Sequence, residues 1–259
     1  MNNFLSVAKK VARTAGQYLL EFKGKIASES VDEKARNDFV TFVDHHSEKL
    51  IVETLHTHFP EHKILAEEGS QKTSQNEYRW IIDPLDGTKN YIQDIPIFCV
   101  SIALEYKGEI ILGVVYDPVH DELFSAETGK GAFCNEKKIR VSKRPIGESL
   151  IATGFPFKYK NYLPQYLQCF EEIFLHCSGM RRCGSAAIDL CYTAMGKFEG
   201  FWELGLSPWD MAAGSLMIQE AGGIVTDFWG KNDYLTNGFI IAGSKNVHKQ
   251  LERIVKNHF

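Results

Sequence analysis

The stretch WIIDPLDGTKNY, residues 80–91, runs an apolar segment directly into two carboxylates, Asp83 and Asp86, followed by Gly87 and Thr88. A proline breaks the chain between the aspartates, and their i, i+3 spacing allows a tight turn that presents both carboxylates on one side. Gly87 lets backbone approach a ligand closely. Thr88, at the start of a predicted helix, offers a hydroxyl and unpaired N–H groups that favour an anion. The pattern predicts a place where a metal ion meets a phosphate.

Taken alone, the Asp-Gly pair is a common turn sequence and the threonine an ordinary helix cap. Three further carboxylates favour the metal interpretation. Glu67 and Glu68 follow a short predicted strand, and Asp210 stands in SPWDMAAG. All five acids lie where predicted strands end or helices begin, which is where loops converge in layered αβ proteins. Converging carboxylates cannot all stay ionised without cations, and hard oxygen ligands favour Mg²⁺ or Mn²⁺.

The composition is that of an ordinary globular protein, with 44% apolar and 24% charged residues among 259, which excludes disordered and collagen-like chains. The formal charge of −4 gives no general electrostatic reason to expect a nucleic-acid partner. The six cysteines include no CxxC pair, as is typical of reduced thiols. The N-terminus has no apolar run long enough for a signal sequence or a membrane span. We therefore expect a cytoplasmic protein without membrane association.

The order of predicted elements indicates an α+β protein, a layered αβαβα sandwich of two sheets with helices between and around them. Helices are predicted over 2–22 and about 44–58, and an antiparallel meander over 97–142. After residue 149 strands and helices alternate. No linker or repeat interrupts the chain, so we expect one domain over 1–259. Its approximate halves are 1–145, with helices and an antiparallel sheet, and 146–259, of α/β character.

Motifs along nearly the whole chain closely resemble the inositol monophosphatase family of Mg²⁺-dependent, lithium-sensitive phosphatases. DPLDGTKNY is accompanied by AEEGS upstream and SPWDMAAGSLMIQEAGG downstream. NDFVTFVD (37–44), GKGAFCN (129–135), RRCGSAAIDL (181–190) and EGFWELGLSPWD (199–210) follow in the family's order. Lys34 and Arg36, ahead of NDFVT, resemble the basic residues of bacterial-type members.

The resemblance implies a role for each acidic position. Two or three Mg²⁺ ions are implied, one held by Glu67, Asp83 and the backbone carbonyl of Leu85. Asp83, Asp86 and Asp210 would hold a second ion, and a weaker third ion would lie near Glu67. Asp44 and Thr88 would position and deprotonate the attacking water, with Glu67 completing the catalytic set. Attack would be in line on phosphorus, with no covalent phosphoenzyme.

The same resemblance implies a substrate site for a small phosphate ester. The N–H groups of Gly87 and Thr88 would hold the phosphate, and Glu203 and Asp86 would accept hydrogen bonds from the alcohol, next to the metal ligand Asp210. The simple alternative for Glu203 is a solvated acid at a strand end. A homodimer is the family expectation. The alcohol would lie against a helix start formed by Gly184, Ser185 and Ala186.

Inositol monophosphate is the predicted substrate, and three alternatives within the family stay open: fructose 1,6-bisphosphate, histidinol phosphate and 3′-phosphoadenosine 5′-phosphate. A haloacid-dehalogenase-type mechanism fits poorly, because that motif is DxDGT and the spacing here is DxxDGT. A regulatory binding protein that keeps the fold is the alternative from another functional class. Every expected ligand is an intact carboxylate, which argues against an inactive enzyme.

Overall fold

The computed structural model describes residues 3–25, 31–35 and 38–259, with the backbone alone for 31–35 and 38–40. Within these residues the helices are α1 (Phe4–Phe22), α2 (Phe42–His58), α3 (Thr88–Ile92), α4 (Leu163–His176), α5 (Ala186–Ala194), α6 (Pro208–Glu220), α7 (Tyr234–Asn237) and α8 (Lys245–Lys256). No helix among them is both long and apolar enough to cross a lipid bilayer.

The strands form a two-stranded hairpin and two larger sheets. Their bounds are β1 (Val31–Ala35), β2 (Asp38–Thr41), β3 (Lys63–Ala66), β4 (Gln71–Lys72), β5 (Tyr78–Asp86), β6 (Cys99–Tyr106), β7 (Glu109–Asp117), β8 (Glu122–Glu127), β9 (Gly131–Cys134), β10 (Lys137–Lys138), β11 (Leu150–Thr153), β12 (Gly179–Arg181), β13 (Gly200–Leu204), β14 (Ile224–Thr226) and β15 (Phe239–Gly243).

The first sheet has eight strands in the order β10-β9-β8-β7-β6-β5-β3-β4. Strands β5 to β10 pair antiparallel in succession, as the predicted meander requires. Strand β3 instead runs parallel to β5. The last residues of these two neighbouring strands therefore reach the same edge of the sheet, which brings the acids after β3 close to those at the end of β5.

The second sheet has five strands in the order β12-β11-β13-β15-β14. Its strands β12, β11 and β13 are parallel, and β15 joins them antiparallel. The end of β13 carries Glu203, and the loop that follows leads into α6 with Asp210 in its first turn.

Five layers result, in the order helices, sheet, helices, sheet, helices. Helices α1 and α2 cover the outer face of the first sheet, α5 and α6 lie between the two sheets, and α4 and α8 cover the outer face of the second. One group of buried apolar side chains lies under each outer helical layer, and a third surrounds the middle helices and joins them to both sheets. The predicted αβαβα arrangement is confirmed.

Small residues allow α6 to pack closely in the middle layer. A Cβ atom at Gly214 would lie 2.5 Å from the Leu190 side chain of α5. A Cβ atom at Gly113 of β7 would lie 2.8 Å from the backbone oxygen of Ala213. These close approaches fix α6 between the first sheet and α5, and so fix the position of Asp210 at its first turn.

Several features of the fold differ from the sequence prediction. The hairpin β1–β2, the short strands β4 and β12 and the short helix α7 were not predicted. Strand β5 continues past Pro84 to Asp86, with an irregularity in its pairing with β6 between Asp83 and Asp86. The proline lacks an N–H group, so the strand can keep its direction there only by giving up a ladder bond.

Candidate active site

Helix α2 presents three buried polar side chains to the site, Asp44, Ser47 and Glu48, at i, i+3 and i+4. The Ser47 hydroxyl donates to the Pro84 carbonyl at 3.0 Å. The Glu48 carboxylate accepts from the N–H groups of Glu68 and Ser70, at 2.7 and 2.9 Å. One face of the helix therefore holds both the end of β5 and the turn that follows Glu67.

Asp44 is fixed at the start of this helix by a capping box with Thr41. The Asp44 carboxylate accepts from the Thr41 N–H at 2.9 Å and from the Thr41 hydroxyl at 2.6 Å, both at Oδ2. Its other oxygen, Oδ1, lies 3.2 Å from the Thr88 hydroxyl. The same hydroxyl lies 3.0 Å from the Leu85 carbonyl oxygen. The expected pair of Asp44 and Thr88 is thus in hydrogen-bond contact next to the Leu85 carbonyl.

The predicted acids converge at the ends of their strands. Ligand atoms of Asp83, Asp86 and Asp210 all lie within 4.8 Å of one another. Glu67 lines the same cavity, of about 180 Å³, and lies close enough to Asp83 for their charges to interact. This cavity is therefore an acidic pocket at the edge where β3 and β5 end, although Lys89, Lys158 and Arg182 also line it.

Crowding and burial raise the pKa values of these carboxyl groups. The pKa of Asp83 lies well above its usual range, first because it is buried and then because Glu67, Asp86 and Asp210 lie nearby. Burial and the charge of Asp86 raise the pKa of Asp210 to about 7. Burial also raises the pKa of Asp86, against hydrogen bonds that favour its charged form. The cluster is costly to ionise without positive charge among its oxygens.

This donor set fits a magnesium site. It consists of carboxylate oxygens with the Leu85 carbonyl beside them, and hard oxygen ligands suit Mg²⁺ and Mn²⁺. A divalent cation between the ligands would offset both the cost of burying their negative charges and the repulsion between them. The residues present therefore match the group that the sequence predicts.

Asp86 also joins the two halves of the site. Its Oδ2 atom accepts from the Ser185 hydroxyl at 2.6 Å and from the Ala187 N–H at 2.8 Å. Ser185 is the N-cap of α5, and with Gly184 and Ala186 it lines an adjoining cavity of about 130 Å³. The predicted alcohol site and the predicted metal site thus adjoin, and Asp86 and Asp210 line both cavities.

Two glycines at the site have backbones that only glycine adopts easily. Gly87 has φ +94°, and a Cβ there would lie 2.9 Å from the Ile97 carbonyl oxygen. Gly184 has φ +95°, and a Cβ there would lie 2.7 Å from the Asn90 amide. The Asn90 amide donates to the carbonyls of Ile97 and Cys183, at 2.8 and 2.9 Å. This amide ties the turn after β5 to the start of α5.

Glu203 extends from β13 toward the same cavity, with Gly154 against its carboxylate. A Cβ atom at Gly154 would lie 1.8 Å from Glu203 Oε1, so a larger residue there would displace the carboxylate. Burial raises the pKa of Glu203 well above its usual range, and the nearby Arg182 opposes that rise. The interpretation of Glu203 as a solvated acid at a strand end is therefore wrong.

Sequence reasoning missed several residues of the site. Asp189 of α5 is only 2% exposed and lines the alcohol cavity, and its Oδ1 has no hydrogen-bond partner within the described chain. Burial raises its pKa to about 7. An acid on an otherwise apolar helix was the available signal. Other lining residues that the sequence did not single out are Asn90, Thr153, Phe155, Phe157, Lys158 and Arg182.

Outside the acidic pocket, the two histidines near the end of α2 have other partners. His56 lies 2.9 Å from the Lys72 amine, and His58 bonds the Thr54 carbonyl, so neither joins a metal cluster within the described residues. Glu68 lies 3.9 Å from His45. The side chain of Lys34 and all of Arg36 lie outside the described residues.

The sequence model of the inositol monophosphatase family matches residues 1–258. This chain belongs to the inositol monophosphatase family. A crystal structure of the extragenic suppressor protein suhB from Bartonella henselae superposes with a TM-score of 0.94 at 42% identity, over 98% of each chain. The inositol monophosphatase of Anabaena (Nostoc) sp. PCC 7120 superposes with a TM-score of 0.85 at 38% identity, over 99% of this chain and 96% of that one.

A curated relative carries a different kind of name. The Nus factor SuhB of Escherichia coli K12 is 43% identical over 253 residues, which cover 97% of this chain and 95% of the relative. The family is one of phosphatases that generally depend on Mg²⁺, and the resemblance to its bacterial-type members is confirmed. Among such relatives some are named for an enzyme activity and some as Nus factors.

Proposed function

We propose that this protein is a Mg²⁺-dependent phosphomonoesterase that hydrolyses inositol monophosphate to inositol and phosphate. The observation that carries the proposal is the convergence of Glu67, Asp83, Asp86 and Asp210 on one cavity. The hydrogen-bonded pair of Asp44 and Thr88 at its wall adds a route for a proton. A carboxylate cluster next to such a pair is suited to ester hydrolysis by water.

Bound Mg²⁺ would lower the pKa of water in the pocket and offset the charge of the phosphate. The proposed ligands are Glu67, Asp83, the Leu85 carbonyl, Asp86 and Asp210, for two or three ions, with Mn²⁺ as a substitute.

The Thr88 hydroxyl is proposed to orient the attacking water. The water releases a proton, which is proposed to pass through the Thr88 hydroxyl to the Asp44 carboxylate. Burial raises the pKa of Asp44, while hydrogen bonds from Thr41 oppose the rise. A carboxylate with a raised pKa is a better proton acceptor than an exposed one. Because Asp44 is held by the capping box, its Oδ1 atom stays aimed at Thr88.

The alcohol is proposed to lie between α5 and β13, where Asp86 and Glu203 accept hydrogen bonds from its hydroxyls. A polyol is favoured because buried acceptors discriminate strongly against a substrate without matching hydroxyls. The backbone N–H groups of Gly87 and Thr88 are proposed to bind the phosphate. The substrate alternatives remain fructose 1,6-bisphosphate, histidinol phosphate and 3′-phosphoadenosine 5′-phosphate.

We further propose, on the basis of family membership, that the protein forms a homodimer, is located in the cytoplasm and is sensitive to lithium. Exposed apolar side chains on α4 support association: Leu167, Phe174 and Leu175 are 53%, 58% and 73% exposed. Large apolar groups in one area of a surface commonly mark an interface between proteins. Sedimentation analysis would test the dimer directly.

The proposed substrate is tested by phosphate release from the four esters with Mg²⁺ and with a chelator. The proposal expects turnover only with Mg²⁺ and the highest kcat/KM on inositol 1-phosphate. Highest turnover on another of the four esters would keep the chemistry and change the substrate. Absence of turnover on all four would contradict the proposal.

A regulatory binding role is the second candidate, because relatives 43% identical to this chain are named Nus factors. The Asp86→Asn variant separates the two roles, since it removes a proposed metal ligand with little change in volume. If a strain lacking this protein has a growth defect, rescue by Asp86→Asn would favour the regulatory role. Failure of that variant, with rescue by wild type, would favour catalysis.

A further inference from the structure

A second concave site lies where the segment after β10 meets the end of α6 and the start of α8. It has a volume of about 730 Å³ and shares no lining residue with the acidic cavities. It lies at the opposite end of α6 from Asp210, about 15 Å along the helix axis. The lining residues are mostly small or positively charged, and none is aromatic.

Positive charge dominates this second site. Four cationic side chains line it, and all four are exposed. Within the described residues no carboxylate lies within ion-pair distance of any of them, whereas the neighbouring Arg144 and Lys197 are paired with Glu199 and Glu122. The four unpaired cations are Lys138, Arg140, Lys143 and Lys245.

The carboxylate among the lining residues, Glu220, is already engaged. Its two oxygens accept from the N–H groups of Gly129 and Gly131, each at 2.7 Å. These hydrogen bonds hold the Glu220 carboxylate toward the β8–β9 turn. Within the described residues, the charge of the four cations is therefore not offset by an ion pair with Glu220.

The start of α8 adds a second feature that suits an anion. This helix has twelve residues, and its N-cap is Ser244. The Ser244 side chain makes no capping hydrogen bond, unlike most N-cap serines. The residue lines the cavity, is only 6% exposed, and its hydroxyl has no partner within the described chain. A buried hydroxyl without a partner is unfavourable, and a ligand oxygen at the helix start would satisfy it.

We infer that this second site binds a phosphate group. The first-turn N–H groups of α8 and the Ser244 hydroxyl would contact its oxygens, while the lysines and Arg140 would neutralise its charge. Because no aromatic side chain lines the cavity, recognition rests on the phosphate and not on stacking with a base or ring. Two sources share this chemistry, a small phosphorylated molecule and the backbone of single-stranded RNA.

Amide NMR of the full-length protein with Mg²⁺ tests the inference, using inorganic phosphate as the probe. Saturable shifts of the Asn246 and Val247 amides are expected in the millimolar range. The amides of Gly87 and Thr88 report the catalytic pocket separately, so the failure of one site is distinguishable from failure of the other. Absence of a saturable shift at Asn246 and Val247 would overturn the inference.

Substitutions at the lining residues test whether the proposed contacts bind the phosphate. Replacing Lys143 and Lys245 together by alanine should weaken phosphate binding at Asn246 about tenfold, equivalent to about 1.4 kcal/mol. Ser244→Ala should weaken it about threefold. Lys249→Ala removes the same charge one turn further along α8, outside the cavity, and should change binding less than about twofold. Equal weakening by Lys249→Ala and the double variant would overturn the site.

An oligoribonucleotide of about ten residues distinguishes the two sources. Much tighter binding than inorganic phosphate, falling steeply with salt concentration, would identify nucleic acid as the source. Binding no tighter than phosphate would identify a small phosphorylated molecule. Both results require the same amide shifts at Asn246 and Val247, and shifts confined to other residues would contradict the inference.

Discussion

The Thr88 hydroxyl lies 3.2 Å from Asp44 Oδ1, although the two residues are 44 positions apart in the chain. The carboxylate comes from the first turn of α2 and the hydroxyl from the first residue of α3. The Thr41 capping box restricts the Asp44 side chain to one orientation. The proposed proton route is thus built into two helix starts, and its geometry does not depend on a long flexible side chain.

Thr88→Ala is expected to lower kcat about 100-fold or more, because it removes the hydroxyl that links water to Asp44. Thr88→Ser keeps that hydroxyl and should restore most of the rate. Thr54→Ala is a matched control, since among the described residues the Thr54 hydroxyl bonds the Leu50 carbonyl of α2 and no group of the site. Steady-state kinetics with saturating Mg²⁺ measure all three. An unaltered kcat for Thr88→Ala would contradict the role of the pair.

Asp83→Asn is expected to abolish the thermal stabilisation that Mg²⁺ gives to the wild-type protein. At 100 times its dissociation constant, a metal ion stabilises the folded state by about 2.7 kcal/mol, which corresponds to a rise in Tm of about 5–10 °C for a chain of this size. In chelator the variant should unfold at or above the wild-type temperature, because one of the repelling carboxylates is gone. Differential scanning calorimetry provides the measurement.

Asp233→Asn makes the same chemical change at an exposed position away from the cluster. This control should retain the full Mg²⁺-dependent rise in Tm. If Asp83→Asn retained it as well, Asp83 would not be a metal ligand.

Gly154→Ala is expected to raise KM for inositol 1-phosphate about tenfold, because the added methyl displaces the Glu203 carboxylate from the alcohol cavity. The Glu203→Ala variant should show the same change, and combining the two should add little. Gly147→Ala is the control, because within the part of the chain that the structure describes its Cβ would meet only the His176 carbonyl oxygen, at 4.0 Å. An unaltered KM for Gly154→Ala would exclude Glu203 from substrate binding.

His248 is buried with its Nε2 atom 2.9 Å from the Thr226 hydroxyl. Its contribution to stability is expected to decrease as the pH falls below about 6.5, whereas the buried carboxyl groups with raised pKa values, such as Asp189 and Asp210, have the opposite effect. Burial lowers the pKa of His248 below its ordinary value of 6.5, against the charge of Glu252. At lower pH the unfolded chain therefore binds a proton at this histidine that the folded chain does not. The contribution of His248 to the free energy of unfolding thus decreases as the pH decreases through this range. Above it, the histidine is neutral in both states and contributes no pH dependence.

His248→Gln should remove this contribution, so that acidification destabilises the variant less than the wild type, and the exposed His176→Asn should leave the pH dependence unchanged. Urea unfolding at a series of pH values between 7 and 5 measures the slope. Equal slopes for wild type and His248→Gln would contradict the assignment.

The acids of the site were predictable because each stands in a short local pattern that marks the end of a strand or the start of a helix. Asp83 and Asp86 follow an apolar strand, and Asp210 follows Ser207 and Pro208 at a helix start. The layers were predictable for a similar reason, since periodicity and turn residues identify most elements. The resemblance to a family then gave each acid an expected role.

Long-range contacts were not predictable from such local patterns. Glu48 is an acid on a helix whose core face also carries Ile51 and Leu55. The parallel pairing of β3 with β5 places the turn after β3 next to α2, where the Glu48 carboxylate accepts from the N–H groups of Glu68 and Ser70. The same applies to Asp189, whose place beside the alcohol cavity depends on how α5 packs between the two sheets.

Phosphate release from inositol 1-phosphate, measured at increasing Mg²⁺ concentrations for wild type and Asp86→Asn, tests the central claim most directly. Asp86 belongs to the carboxylate cluster and also binds the start of α5, so its charge matters to both metal and substrate. The account predicts saturable Mg²⁺-dependent turnover by wild type and a loss of at least about 1,000-fold in the folded variant. Turnover by wild type in chelator, or near-normal turnover by Asp86→Asn, would contradict it.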